Sequence, residues 1–408
     1  MWETLKPYAT VLTVLVTLVH GAQWWAARRA KKKGAQPAAT RPVVQPPSGP
    51  WTTCPNKRHP YIRAPRRHNS DQALLAAGGM PLLADQAEIS SWLGVRPTHL
   101  VWLAEMYGDG WTEKEFKHYV AWLVPKRSGG VRLITAPKPY LRAVQRRILA
   151  EILSRATIEA NAHGFAKGRS TLTNAKPHAG RGVVVKLDLE NFFPTITFRR
   201  ARGVFGTFGY SEEVSTVLAR LCTISVQDAV AVYILAGKKY RGDAPPSRTL
   251  PQGAPTSPAL SNLVCKRMDT RLAGLAAKFG AVYTRYADDM TFSGDEKFAA
   301  QLGNFFEFVR KIISQEGFTI NWAKRRIMRK GSRQNVTGIV VNNRPTLARS
   351  ERKLLRATLH RWKTTGNFDA PADVANKKEW LRGKLSYLSM VDPKSAGPLF
   401  AMHDSLRK

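Results

Sequence analysis

Apolar positions recur at helical spacing from Ala84 to Leu93 and again from Pro97 to Met106, where a proline suits the first turn of a helix. Two apolar runs follow, Tyr119 to Val124 and Val131 to Thr135, separated by the polar stretch Lys126-Arg127-Ser128-Gly129-Gly130, and this reads as a β-hairpin. Leu141 to Leu153 returns to helical spacing and is basic. Gly182 to Leu189 is apolar at almost every position and predicts a buried strand carrying one acid, Asp188. Pro251-Gln252-Gly253 signals a turn, and Pro255 and Pro258 open a helix that runs to about Lys278. Ala281 to Tyr286 and Met290 to Ser293 predict two short strands joined across Ala287-Asp288-Asp289. Phe298, Leu302, Phe305, Val309 and Ile312 predict a helix over Phe298 to Gln315, with Gly317 as its stop. Asn335 to Val341 predicts a strand followed by a turn at Asn342 to Pro345, and Leu347 to Lys408 is helical and basic. Helices, a hairpin, strand-helix units and a helical tail together predict an α+β fold with helices packed on a sheet.

The first seventy residues have another texture. Tyr8 to Ala27 is an uncharged stretch with Trp24 and Trp25 at its end, followed at once by Arg28, Arg29, Lys31, Lys32 and Lys33. Such a length predicts an N-terminal apolar helix able to span a bilayer, and the basic cluster predicts that the remainder stays on the cytoplasmic side, tethered to the inner membrane. Residues 34–70 are rich in proline and alanine and read as an extended linker.

Charge narrows the function. Lys+Arg number 64 against Asp+Glu 29, a net charge of +35. A surplus this large opposes folding by self-repulsion, and its physical use is to bind a polyanion, with nucleic acid the leading candidate. The cysteines Cys54, Cys222 and Cys265 are odd in number and far apart, without zinc-binding spacing, and predict plain thiols in a cytoplasmic catalytic body.

Acids in an acid-poor chain stand out. Asp188 closes a buried strand, and Asp288 and Asp289 sit side by side at a hairpin tip. Each placement is costly unless a cation compensates it. Hard oxygen ligands suit Mg²⁺, and two such ions can activate a 3′-hydroxyl and stabilise a leaving pyrophosphate, so the chemistry implied is nucleotidyl transfer.

Here the sequence resembles a known family. Tyr286-Ala287-Asp288-Asp289 is similar to the YxDD box of reverse transcriptases, Lys186-Leu187-Asp188-Leu189-Glu190-Asn191-Phe192-Phe193 to their first catalytic motif, and Leu250 to Pro258 to their PQG box. Asn174-Ala175-Lys176-Pro177-His178 resembles the NAxxH motif of retron enzymes, and Val336-Thr337-Gly338 their VTG motif. The resemblance covers Asp71 to the C-terminus.

It implies a right-hand polymerase, with fingers and a ferredoxin-like palm over 71–345 and a helical, RNA-binding thumb over 346–408, preceded by the anchor (1–33) and the linker. It implies Asp188, Asp288 and Asp289 as catalytic carboxylates that hold two Mg²⁺ ions together with the Leu189 carbonyl. Phe193 is implied as the gate against a ribonucleotide 2′-hydroxyl, with Phe192 in the core. Gln252 and Gly253 are implied beside the nascent pair, Arg132 and Lys126 on the triphosphate, and Lys324 (or Arg325 or Arg326) near the pyrophosphate. Asn174, His178, Val336, Thr337 and Gly338 are implied to contact RNA. The partners implied are a dedicated non-coding RNA, dNTPs, a 2′-hydroxyl-primed branched DNA product and a separately encoded effector in anti-phage defence. Two basic helices, one with Arg142, Arg146, Arg147 and Arg155 and one with Lys353, Arg356, Arg361 and Lys363, read as phosphate-contacting faces. Trp380, Leu381, Leu385 and Leu388 read as thumb core. The alternatives are another bacterial reverse transcriptase, of the group II intron, diversity-generating or abortive-infection kind, and a non-catalytic RNA-binding scaffold.

Overall fold

The computed structural model describes residues 67–106, 118–125, 131–225, 248–371, 374 and 376–406. The apolar segment 8–27, the linker up to residue 66, Cys54 and Lys126 lie outside them. Among the described residues no helix is long and apolar enough to cross a membrane.

The chain enters through three short helices, α1 (Gln72–Ala77), α2 (Gln86–Leu93) and α3 (Pro97–Leu103). Asp71 and Asp85 cap the first two, their carboxylates accepting the Leu74 and Glu88 N–H groups at 3.0 and 2.9 Å. The hairpin pairs β1 (Tyr119–Pro125) with β2 (Val131–Pro137), and the helix expected from Leu141 to Leu153 is α4 (Pro139–Glu151), which starts on a proline. Two helices not singled out in the sequence, α6 (Phe198–Thr207) and α7 (Glu212–Cys222), follow the short α5 (Thr171–Ala175) and the strand β3 (Val183–Asp188). A two-residue ribbon, β4 (Ile224–Ser225) with β5 (Arg248–Thr249), precedes the proline-led helix. That helix is two helices, α8 (Ser257–Val264) and α9 (Lys266–Lys278), meeting at Cys265. After β6 (Val282–Tyr286) and β7 (Asp289–Gly294), the phenylalanine-rich stretch is likewise split at Gln301 into α10 (Glu296–Ala300) and α11 (Leu302–Gln315).

The central sheet has the order β6-β7-β3-β8, all antiparallel, with β8 (Arg326–Arg329) on the edge. Taken in chain order, β3, helices, β6, β7, helix and β8 make a βαββαβ unit whose order is the ferredoxin-like one expected. β8 was not legible in the sequence, because its positions are mostly exposed and carry arginines rather than an apolar alternation.

β3 shows why a strand can be apolar at nearly every position. Successive side chains point to opposite faces. Val183, Val185 and Leu187 enter the main core with Met268, Leu272, Phe292, Phe305 and Val309. Val184 enters a second core with Val336, Ile339, Leu355, Leu359, Leu381, Leu385 and Leu388. Both faces are therefore covered near its start, and the usual alternation of apolar and polar residues is lost.

The stretch 335–341 is not one strand. It is a tight hairpin, β9 (Asn335–Val336) and β10 (Ile339–Val340), turning at Thr337 and Gly338, both with positive φ (47° and 88°). The tail forms α12 (Arg349–Thr365), α13 (Lys377–Val391) and α14 (Pro393–Ser405). Leu381, Leu385 and Leu388 are its core and Trp380 packs against that core, as expected. The basic residues singled out on α4, after it at Arg155, and on α12 are all exposed.

Phe305 is the hub of the main core, with the rings of Phe279, Phe292 and Phe298 at 5.0–5.4 Å between centroids. Phe305→Ala removes a fully buried ring from this cluster and is expected to cost about 3–5 kcal/mol, read as a lower denaturant midpoint at unchanged slope.

Candidate active site

Antiparallel pairing brings together acids that are far apart in the chain. Asp188 stands opposite Asp289 in the β3–β7 register, and Tyr286 opposite Asp289 in β6–β7, leaving Ala287 and Asp288 as a two-residue turn. The Leu189 N–H donates to the Asp288 carbonyl at 3.0 Å, so the backbone of the metal-ligand candidate Leu189 runs alongside that turn. By the period of two, Asp188, Lys186 and Val184 share one face with Asp289, Thr291 and Ser293. Ala287 sits at φ 58°, at the first central position of the turn, where glycine is the usual occupant; a side chain there costs about 1–2 kcal/mol.

The acids lie where their charge is poorly solvated. Burial, and after it the charge of Asp188, pushes the Asp288 carboxyl above its ordinary range. Burial also raises Asp289, opposed by the Lys186 ammonium. Lys186 Nζ lies 2.7 Å from Asp289 Oδ2 and Lys324 Nζ 2.6 Å from Asp188 Oδ1. Asp288 has no ion pair among the described residues. There too, no three acidic, histidine or cysteine side chains are drawn into a single metal-holding group. The donor chemistry nevertheless fits a hard divalent cation. Asp188 and Asp289 stand opposite each other at one end of the sheet with Asp288 in the turn beside them, two of the three already recruit an ammonium each, and the third is raised by burial and then by its acidic neighbours. A divalent ion would take the place those ammonium groups now fill.

Of the other expected substrate residues, Lys324 is the one with a described contact to these acids. Phe193 is half-exposed, with its ring 5.5 Å from Phe192 and 6.2 Å from the exposed Phe165. Phe192 is buried against Phe318, as expected. Of the three basic residues after Trp322, Lys324 reaches Asp188, Arg325 lies over the Phe306 and Trp322 rings, and Arg326 pairs with Lys186 in the sheet. Gln252 joins the hairpin: Thr135 N–H donates to the Gln252 carbonyl at 2.8 Å, and Gln252 N–H to Thr135 Oγ1 at 3.1 Å. Gly253 has φ 138°, and a Cβ there would stand 2.9 Å from the Thr135 carbonyl. Its glycine is thus required by the contact with β2, whatever else passes by. Arg132 is exposed on that same strand.

The residues expected to contact RNA divide. His178 is fully buried: Nδ1 is 2.7 Å from Ser293 Oγ and Nε2 2.7 Å from Thr284 Oγ1, pinning the turn Lys176–His178 onto β6 and β7. Asn174 and Val336 are also wholly buried. Side chains without surface cannot touch a phosphate or a base, so for these three the expectation of RNA contact is corrected to a structural role. Thr337 and Gly338 do reach the surface, at the β9–β10 tip, where Thr337 Oγ1 donates to the Thr171 carbonyl at 3.2 Å. The two motifs therefore converge on one locus through α5.

Two residues near the acids carried little sequence signal. Lys186, two positions before Asp188, could have been placed on its face by strand periodicity. Gly164 could not. A Cβ on it would lie 2.5 Å from the Ala287 nitrogen, so the loop before α5 presses directly on the turn that bears Asp288.

Among known proteins, residues 124–358 match the family described as reverse transcriptase (RNA-dependent DNA polymerase). The chain is 43% identical to the retron Mx65 reverse transcriptase of Myxococcus xanthus over 80% of its length and 73% of that protein's. It is 37% identical to the retron Mx162 reverse transcriptase of the same organism, over 80% and 67%. To the retron Ec86 reverse transcriptase of Escherichia coli it is 33% identical, over 68% and 77%.

Burial, with the charges of His163 and Arg181, pushes His178 down to about 3. The folded chain keeps the ring neutral while the unfolded chain protonates it near the ordinary value of about 6.5. Its stabilising contribution is therefore present above about pH 6.5 and is lost as pH falls towards 3. Denaturant melts between about pH 7 and pH 4.5 should show stability falling with acidity, and His178→Gln should remove up to about 1.4 kcal/mol per pH unit from that slope.

Proposed function

The chain belongs to the retron-type reverse transcriptases, RNA-directed DNA polymerases, and from that premise we propose that Asp188, Asp288 and Asp289 are the carboxylates with which it copies a dedicated non-coding RNA into DNA. The observation that carries this assignment is the register that sets Asp188 opposite Asp289 beside the Asp288 turn.

Divalent metal is the general requirement of this domain; two Mg²⁺ ions, held by the three acids and the Leu189 carbonyl, would supply an activated 3′-hydroxyl and charge compensation for the leaving pyrophosphate. The chain's own groups do the rest. The primer oxygen attacks the α-phosphorus of a dNTP, and the bond to pyrophosphate breaks. Lys324, within reach of Asp188, supplies positive charge and a proton to the leaving group. Phe193, five positions after Asp188 and half-exposed, excludes a 2′-hydroxyl. Arg132, on the hairpin tied to Gln252 and Gly253, holds the triphosphate together with Lys126, since a guanidinium fork fits phosphate oxygens. Net positive charge concentrates RNA and dNTP around the acids.

The template RNA would be held by the Thr337–Gly338 tip, supported by the packing around Asn174 and His178, and by the exposed basic faces of α4 and α12. Fingers and palm occupy 71–345 and the thumb 346–408. Priming from a 2′-hydroxyl gives a branched RNA–DNA product, which serves anti-phage defence with a separately encoded effector. Residues 8–27 would tether the assembly to the inner membrane, supported by their uncharged run and basic flank.

Protein purified from its host should carry one RNA species joined to single-stranded DNA, and sequencing with and without debranching should reveal the branch. Random cellular RNA, or DNA made without template, would overturn the reading. Asp288→Asn should lower DNA synthesis on the order of a thousandfold or more with RNA binding retained. In steady-state incorporation, Phe193→Ala should relax the preference for dNTP over NTP by roughly tenfold to a hundredfold.

A further inference from the structure

The turn that bears Asp288 has a side-chain-bearing residue, Ala287, at φ 58°, and two arms hold it there. The first comes from the opposite face of the sheet. Arg285 is wholly buried, and the strand period points it away from the acids, alongside Tyr283. Its Nε and Nη2 donate to the two carboxylate oxygens of Asp269 on α9, at 2.8 and 2.6 Å. Its remaining nitrogen, Nη1, donates at 2.9 Å to the carbonyl of Ala287, the peptide group that leads into Asp288. Tyr283 hydroxyl donates to the same Asp269 at 2.8 Å, so the acid that orients the guanidinium is itself fixed. The second arm is the loop before α5. Arg285 N–H donates to the Asn161 carbonyl at 2.8 Å, and His163 N–H to the Arg285 carbonyl at 2.7 Å. Asn262 Nδ2 donates to the Gly164 carbonyl at 2.8 Å, seating Gly164 against the Ala287 nitrogen.

A fully buried Arg–Asp pair is weak evidence for stability, because desolvation offsets its attraction and apolar residues of like volume often replace such pairs without loss. What apolar residues cannot supply is a donor to the Ala287 carbonyl. We propose that Arg285, oriented by Asp269, is a positioning residue that fixes the Ala287–Asp288 peptide from behind the sheet and thereby sets the direction of the Asp288 and Asp289 carboxylates. This rests on the reading of those two acids as catalytic.

The test replaces the pair as a unit, with Asp269→Leu, Tyr283→Phe and Arg285→Met combined so that no buried charge or hydroxyl is orphaned. The full chain should melt near the wild-type temperature and bind its RNA with unchanged affinity. Its kcat for dNTP incorporation should fall on the order of a hundredfold with KM within about twofold, as for a displaced but intact catalytic group. The rise in melting temperature that Mg²⁺ gives the wild type should shrink. A well-folded triple variant that synthesises DNA at the wild-type rate overturns the proposal. Asp288→Asn runs in parallel: if it keeps full activity, the catalytic reading itself fails, whereas an inactive Asp288→Asn beside a fully active triple variant defeats only the positioning role. Should the triple variant not fold, Gly164→Ala decides, since it leaves the ion pair intact and pushes the same turn from its other side. Loss of kcat with RNA binding retained supports the proposal, and an unaltered kcat overturns it.

Discussion

Negative charge gathered at one end of the central sheet is the constraint to which the rest of this molecule answers. Asp188, Asp288 and Asp289 meet because β3, β6 and β7 are antiparallel neighbours in a fixed register, and in that register a slip of one residue would turn every side chain of a strand to the other face. Burial, and after it their mutual repulsion, raises Asp288 and Asp289, and the Lys186 and Lys324 ammonium groups lie against Asp289 and Asp188. A chain so rich in lysine and arginine can keep three acids together because the field around them is positive.

The register is enforced by burial on both sides of β3. One face belongs to the phenylalanine-rich core under α9 and α11, the other to the core shared with α12 and α13. The two cores thus share one strand, and Val184 alone among the early residues of β3 contributes to the core under α12 and α13. The buried His178, bridging Ser293 and Thr284, closes the acid-bearing face a few residues behind the acids. The motif that contains it contributes to the site through packing, and the adjoining Thr337–Gly338 tip carries the exposed part. Buried thiols fit the same picture: Cys222 and Cys265 are pushed up to about 12 by burial.

Pattern along the chain was enough for the elements that carry the strongest periodicity and for the identity of the acids. The strands around Ala287-Asp288-Asp289, the buried strand ending in Asp188, the proline-led helices and the thumb core all follow from spacing and side-chain type, which are local properties. Breaks inside long helical stretches at Cys265 and Gln301, and the hairpin hidden in 335–341, did not follow, because a turn at Thr337 opposes the preference of a β-branched residue. The edge strand β8, with arginines at both ends, likewise lacked an apolar alternation.

What the sequence determined by itself was which chemistry to expect, since paired and strand-borne carboxylates suit a hard divalent ion and nucleotidyl transfer. What tertiary structure alone decided was which neighbour each residue meets. It placed Lys324 rather than Arg325 on Asp188, put His178 and Asn174 inside rather than on an RNA-facing surface, and gave Gly253 a partner in Thr135. It also set Arg285 behind the turn whose acids it precedes so closely in sequence. Burial and contact depend on segments far apart in the chain, and no local pattern encodes them.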